Sequence, residues 1–188
     1  MPNPVPPSAA TSGPSPATWG LRGLDVWLFQ WMRAGHSARR RGLATAKLVA
    51  RWSSYPMLVL MGVLAAQASD GLWQLAQCIA IAGLVQLACK KLATWFGSPR
   101  PFVLGLSANH LNHGSRSGLP STHAAVMSTV VGFMAVAIPV WPLVAAMAGV
   151  ALCTCWARIY AGAHFPSDVL AGLAGGGALG ALAALQLA

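Results

Sequence analysis

Three short polar clusters interrupt an otherwise apolar chain. The first is Lys90-Lys91 followed by Gly97-Ser98-Pro99-Arg100-Pro101, and the second is Pro120-Ser121-Thr122-His123. The third runs Arg158-Ile159-Tyr160-Ala161-Gly162-Ala163-His164-Phe165-Pro166-Ser167-Asp168. Together these residue types suit metal-free phosphoryl transfer. A phosphoryl group in transit needs its equatorial oxygens held by fixed cations and donors. Arg100 and Arg158 offer bidentate contacts, Lys90 or Lys91 a point charge, and Ser121 a hydroxyl donor. A helix beginning near Thr122 adds backbone N–H groups and a dipole suited to an anion. His164 can attack phosphorus when a carboxylate holds its proton-bearing nitrogen and leaves the other bare; Asp168, four positions on, is the expected orienting partner. His123 would protonate the leaving oxygen. The chain has no carboxylate cluster to hold magnesium, so neither a metal nor another cofactor is expected.

Each cluster also has a plain structural reading. Lys90, Lys91 and Arg158 could be snorkelling helix ends, Ser121 and Ser167 helix caps, and each histidine a satisfied polar group. Those readings work singly and explain the set poorly, because ionisable groups near membrane spans are costly and tend to mark function.

The elements that must position these residues follow from composition. Of 188 residues, 56% are hydrophobic and 8% charged, which argues against a soluble domain and against disorder. Twelve Lys and Arg stand against three Asp and Glu, a balance that calls for an anionic partner. Seven of the twelve lie in residues 22–51 (Arg22, Arg33, Arg39, Arg40, Arg41, Lys47 and Arg51), and the rest are isolated between apolar runs. A nucleic-acid reader would need a continuous basic face on a soluble module, so no nucleic-acid partner is expected. Cys78, Cys89, Cys153 and Cys155 lack metal or redox spacing and read as small buried hydrophobes.

Residues 1–18, with six prolines and no charge, read as a disordered Pro-rich tail. Residues 19–34 place Leu24, Trp27, Leu28 and Trp31 on one helical face, interrupted by Asp25 and Gln30, which suits an interfacial amphipathic helix with basic neighbours. Five stretches then approach spanning length: 50–69, 72–89, 122–138, 141–157 and 169–188. The fold class is therefore all-α, a multi-pass transmembrane bundle of about five spans. Gly172, Gly176 and Gly180 form a small-residue stripe that lets another helix approach closely. Short turns at 69–71 and 139–142 put the basic arm, residues 90–121 and residues 158–168 at one face, where the three clusters meet.

The clusters resemble the signatures of the type 2 phosphatidic acid phosphatase superfamily: K-x6-R-P, P-S-G-H and S-R-x5-H-x3-D. Arg158, His164 and Asp168 match the third at full spacing, with Ala157 for Ser. Pro120-Ser121-Thr122-His123 carries Thr for Gly. Arg100-Pro101 is kept, but Ala93 stands where the family has Lys, and Lys90, one helical turn earlier, is the favoured substitute over Lys91. The resemblance implies a membrane phosphatase domain over 19–188, a phosphohistidine on His164, and hydrolysis by water with His123 switching to base. It further implies a lipid phosphate or diphosphate substrate, with undecaprenyl diphosphate favoured over phosphatidylglycerophosphate, phosphatidic acid or lipid A. A non-catalytic polyprenyl-phosphate binder or flippase, and a structural membrane protein with a lipid-binding arm, are the alternatives from other classes. Orientation is contested: the positive-inside rule puts the basic arm and the site in the cytoplasm. The resemblance implies a site facing the periplasm from the bacterial inner membrane, and that is the expectation carried forward.

Overall fold

The structure is a computed structural model that describes residues 21–34, 40–112, 114 and 117–187. The Pro-rich tail, residues 19–20, Arg39 and Arg116 lie outside the described residues. Seven helices follow in order among the described residues: α1 (Leu21–Met32), α2 (Arg40–Trp52), α3 (Ser54–Ala65), α4 (Gly71–Phe96), α5 (Thr122–Ala137), α6 (Trp141–Tyr160) and α7 (Pro166–Leu187). The described residues contain no strand.

All five expected spans are helical, but they are unequal. Helices α4, α6 and α7 are each long and apolar enough to cross a membrane. The first expected span, 50–69, is instead the end of α2 joined to α3 with a 47° bend, a pair with the length and composition of either a broken span or a re-entrant loop. The bend falls at Ser53, between the two helices. Helix α2 itself was not expected: Ala46 and Ala50 are its buried positions, one turn apart, within a segment that also carries Arg40, Arg41, Lys47 and Arg51. Helix α5 has only 16 residues, and its Met127, Val130, Phe133 and Met134 lie in the centre of the core.

The glycine stripe holds the middle of the bundle together. A Cβ on Gly176 would sit 2.1 Å from the Ala125 carbonyl oxygen, and one on Gly180 2.1 Å from that of Thr129. From the other side, a Cβ on Gly132 of α5 would meet the Gly177 oxygen at 2.3 Å. Backbone therefore lies against backbone along α5–α7, as small residues permit in a bilayer. The Ser128 hydroxyl donates across this seam to the Gly172 oxygen at 3.2 Å.

The two ends of the bundle differ as the turns require. At one end, the Gln77 side-chain amide near the start of α4 donates to the Leu187 oxygen at the end of α7 (3.3 Å). At the other, the Ser121 N–H donates to the Asp168 carbonyl at 3.0 Å, strapping the start of α5 to the first turn of α7. Residues 97–121 form the long connection over this second end.

Helix α1 presents the opposite face from the one its apolar stripe suggests for a core helix. Phe29 is fully buried, whereas Leu24, Trp27 and Trp31 are exposed. An outward apolar stripe suits the headgroup region, where Trp is favoured. Cys153 corrects the reading of the four cysteines: it is exposed, because α6 buries Val144, Met147, Ala151, Thr154 and Cys155 instead.

Candidate active site

Every expected site residue is among those described, and most collect at the end of the bundle where α5 and α7 begin. His164 lies in the short link between α6 and α7 and is buried. Its Nδ1 is 3.0 Å from the Gly118 carbonyl oxygen. A carbonyl can only accept, so Nδ1 carries the proton and Nε2 is left with its lone pair. The Asp168 Oδ2 stands 3.6 Å from the same Nδ1 and accepts the Phe165 N–H at 3.0 Å. The expected carboxylate is thus beside the imidazole, and the shortest hydrogen bond on the ring goes to the loop backbone.

Gly118 was missed by reasoning from the sequence. Its N–H donates to the Ser98 oxygen at 2.9 Å. A Cβ there would lie 2.7 Å from Asp168 Oδ2 and 3.3 Å from the Arg100 Cγ. Only a residue without a side chain lets the loop bring its carbonyl this close to the ring. The signal available in the sequence was a glycine three positions before Ser121.

Arg100 ties the loop to the histidine from both flanks. It donates to the Ala163 oxygen at 3.3 Å and to the Ser117 oxygen at 3.5 Å, one residue before His164 and one before Gly118. Arg158, in the last turn of α6, is buried and donates to the Ala50 oxygen of α2 at 3.3 Å. Helix α6 runs on to Tyr160, so Arg158 is held by helix rather than by a loop as expected.

Burial lowers the pKa of His164 below its ordinary value; the hydrogen-bonding influence of Asp168 opposes this, while the charges of Arg100 and Arg158 add to it. Burial likewise lowers Arg100, against the pull of Asp168. The neutral imidazole is therefore the favoured form, in a neighbourhood with more positive than negative charge. That combination serves an incoming anion.

Ser121 and Thr122 begin α5. Ser121 is at the N-cap but makes no side-chain cap bond, and its buried hydroxyl has no hydrogen-bond partner. The plain reading of Ser121 as a helix cap therefore fails. A buried hydroxyl with no protein partner is available to donate to a ligand oxygen. The first orphan N–H groups of α5 stand beside it, because Ala125 is the first residue to bond back, to the Ser121 oxygen at 2.9 Å. His123 is on the first turn of α5 and is exposed.

Lys90 and Lys91 sit differently from expectation. Helix α4 continues to Phe96, so both lie within it rather than at its end, and both are exposed. The buried seam of α4 passes through Val85 and Cys89. At about 100° per residue, Lys90 lies roughly 60° around the helix from Ala93, and Lys91 faces nearly the other way.

An all-helical bundle with three helices long and apolar enough to cross a membrane, carrying a buried histidine and two arginines at one rim, is an integral membrane protein. The chain belongs to the PAP2 superfamily, whose signature matches residues 71–188. It is 31% identical over 100 residues to the Escherichia coli (strain K12) protein named "Putative undecaprenyl-diphosphatase YbjG", a match covering 49% of this chain and 48% of that protein. The chain thus spans about half the length of the curated relative it matches. Two solved structures share the fold. Aquifex aeolicus LpxE is 23% identical with a TM-score of 0.68, covering 85% of this chain and 94% of that one. A transmembrane PAP2-type phosphatidylglycerolphosphate phosphatase from Bacillus subtilis is 20% identical with a TM-score of 0.60, covering 92% and 85%.

Proposed function

We propose that this PAP2 superfamily phosphatase hydrolyses a lipid phosphate without a metal, and that undecaprenyl diphosphate is its substrate. The observation that carries the chemistry is the His164 Nδ1 contact to the Gly118 oxygen, which commits the ring to one tautomer. Nε2 then attacks phosphorus, and the bond to the leaving lipid oxygen breaks as His123 gives that oxygen a proton. Arg100, Arg158, the Ser121 hydroxyl and the first N–H groups of α5 hold the phosphoryl oxygens. Water, deprotonated by His123, attacks the phosphohistidine and releases inorganic phosphate, which restores His164. Lys90, on the side of α4 nearer Ala93, adds a further charge in this reading, and Lys91, facing nearly the other way, contributes less.

The lipid half of the substrate has a place to lie. A trough of about 280 Å³ runs between α4, α5 and α7, lined by Val85, Cys89, Leu92, Leu119, Pro120 and Leu179. Its upper end, at Leu119 and Pro120, adjoins Gly118 and Ser121. An apolar trough ending beside the proposed phosphate site supports a substrate with one phosphate end and one hydrocarbon end. The choice of a polyprenyl diphosphate rests on the likeness to YbjG, and the site is taken to face the periplasm from the inner membrane on the same ground.

The test is phosphate release in detergent from undecaprenyl diphosphate, phosphatidylglycerophosphate and phosphatidic acid, with vanadate, EDTA and His164→Ala as controls. The expected result is fastest release from the diphosphate, inhibited by vanadate, indifferent to EDTA and absent from the variant. Preference for another lipid would move the substrate assignment; dependence on magnesium would overturn the chemistry. A lipid-dependent function that survives His164→Ala would favour a binder or flippase instead.

A further inference from the structure

Helix α7 begins Phe165-Pro166-Ser167-Asp168, and its first turn is capped in an unusual way. Pro166 occupies the first helical position, where its missing N–H costs nothing. Asp168 reaches back to the Phe165 N–H at 3.0 Å, which is one half of a capping box. The other half requires an oxygen on the N-cap side chain to accept an N–H from the first turn. Phe165 has none. Asp25 of α1 supplies it from 142 residues away: one carboxylate oxygen accepts the Ser167 N–H at 2.9 Å, and the other accepts the Ser167 hydroxyl at 2.5 Å.

The same helix grips the site elsewhere. Fully buried Phe29 meets Phe165 edge-on, with ring centroids 5.4 Å apart. Just beyond the end of α1, the Ala34 N–H donates to the Tyr160 oxygen at 3.0 Å, and the Arg33 guanidinium donates to the Leu106 oxygen in the long loop. His164 lies between Tyr160 and Ser167, so α1 and the two residues that follow it fasten the chain on both sides of it. Asp25 thus has a use: the acid that breaks the apolar stripe of α1 points to the start of the helix that follows the histidine.

We propose that Asp25 is a positioning residue for His164, acting as an N-cap supplied in trans to α7 and carried by the interfacial helix α1. The proposal rests on the reading of His164 as nucleophile. Without the carboxylate, the first turn of α7 frays and the imidazole loses its fixed approach to phosphorus. Substrate binding, which uses other groups, is untouched.

The test compares Asp25→Ala, Asp25→Asn and Ser167→Ala in the full chain, in detergent with the best lipid phosphate. Asp25→Ala is expected to lower kcat about tenfold and to leave KM within about twofold, because misplaced reacting groups cost rate more than affinity. Asp25→Asn is expected to recover kcat to within about threefold of the wild type, since asparagine caps a helix as well as aspartate does. Hydrogen exchange at the amides of 165–169 should quicken in Asp25→Ala and not in Asp25→Asn. Unchanged kcat and exchange in Asp25→Ala would overturn the proposal, as would a loss that Asp25→Asn does not restore. If Asp25→Ala fails to fold, Ser167→Ala decides: a drop in kcat of about twofold to threefold at constant KM supports the latch, and wild-type kinetics contradict it. If the wild type releases no phosphate from any lipid, the phosphatase reading fails, and the exchange comparison still decides whether Asp25 caps α7.

Discussion

Helices α5 and α7 meet backbone to backbone, whereas α3 and α4 stand apart around an apolar groove of about 290 Å³ lined by Met57, Met61, Ile79, Gly83 and Val130. Both regions are built from apolar, glycine-containing helices, so composition does not separate them. The difference lies in what a glycine faces. Gly176 faces the Ala125 carbonyl with no room for a methyl, while Gly83 faces open space. The tight seam carries Ser121 and His123 at one helix start and Asp168 at the other, with His164 just before it. Of the proposed site residues the loose side carries only Lys90 and Lys91, on α4. Close packing has gone where two helix ends must keep a fixed spacing, and slack has been left where only lipid need fit.

The sharpest way to break this comparison is a pair of identical substitutions. Gly176→Ala must push a methyl into a carbonyl, and a loss of about 3 kcal/mol or more in folding stability is expected. Gly83→Ala places its methyl in free space and gains helix propensity, so a small increase of about 0.5–1 kcal/mol is expected. Thermal melts in one detergent check both; equal melting temperatures would mean that the two regions do not differ.

Next in size is the effect of Gly118→Ala on turnover. Its Cβ would press on Asp168 and Arg100, displacing the carbonyl that holds His164. A fall in kcat of about a hundredfold is expected with the melting temperature nearly unchanged, because a small misplacement of a reacting group is costly.

The trough beside the seam gives a smaller, selective effect. Leu92→Trp should narrow it and raise KM about fivefold for a long-chain lipid phosphate, leaving a short-chain phosphate unaffected. Equal effects on both would sever the trough from the substrate.

The pH profile sharpens the account of the site itself. His164 must be neutral to attack, and burial lowers its pKa, so it stays neutral down to a pH below the ordinary histidine range. The acidic limb of kcat/KM should therefore fall below about 6.5, the unperturbed histidine value. Asp168 opposes the lowering, so Asp168→Asn should move that limb to still lower pH.

Much of this was legible in the sequence because it depends on local pattern. Hydropathy marks the apolar segments, and the four-residue spacing of Gly172, Gly176 and Gly180 marks the seam. The three polar clusters could be assigned to one rim because the intervening turns are short. What escaped depends on contacts between distant parts of the chain. Gly118 matters through its carbonyl, and a carbonyl has no residue type. Helix α2 hid because Arg40, Arg41, Lys47 and Arg51 are spread along it and break up its apolar residues, although Ala46 and Ala50 are spaced as a buried face. Asp25 reads locally as a flaw in an apolar stripe, and its meaning appears only when Ser167 is brought beside it. Lys90 and Lys91 were read as the end of a span because charge usually ends one, yet α4 carries them exposed on its flank for another turn and more.

The central claim is that His164 takes the phosphoryl group, and trapping it is the most direct test. Turnover of a lipid phosphate labelled on its phosphorus would be quenched in alkali, where a phosphohistidine survives, and the labelled peptide mapped. The account predicts label on His164, released as inorganic phosphate on acidification and absent from His164→Ala. Label on another residue, or undiminished phosphate release by His164→Ala, would contradict it.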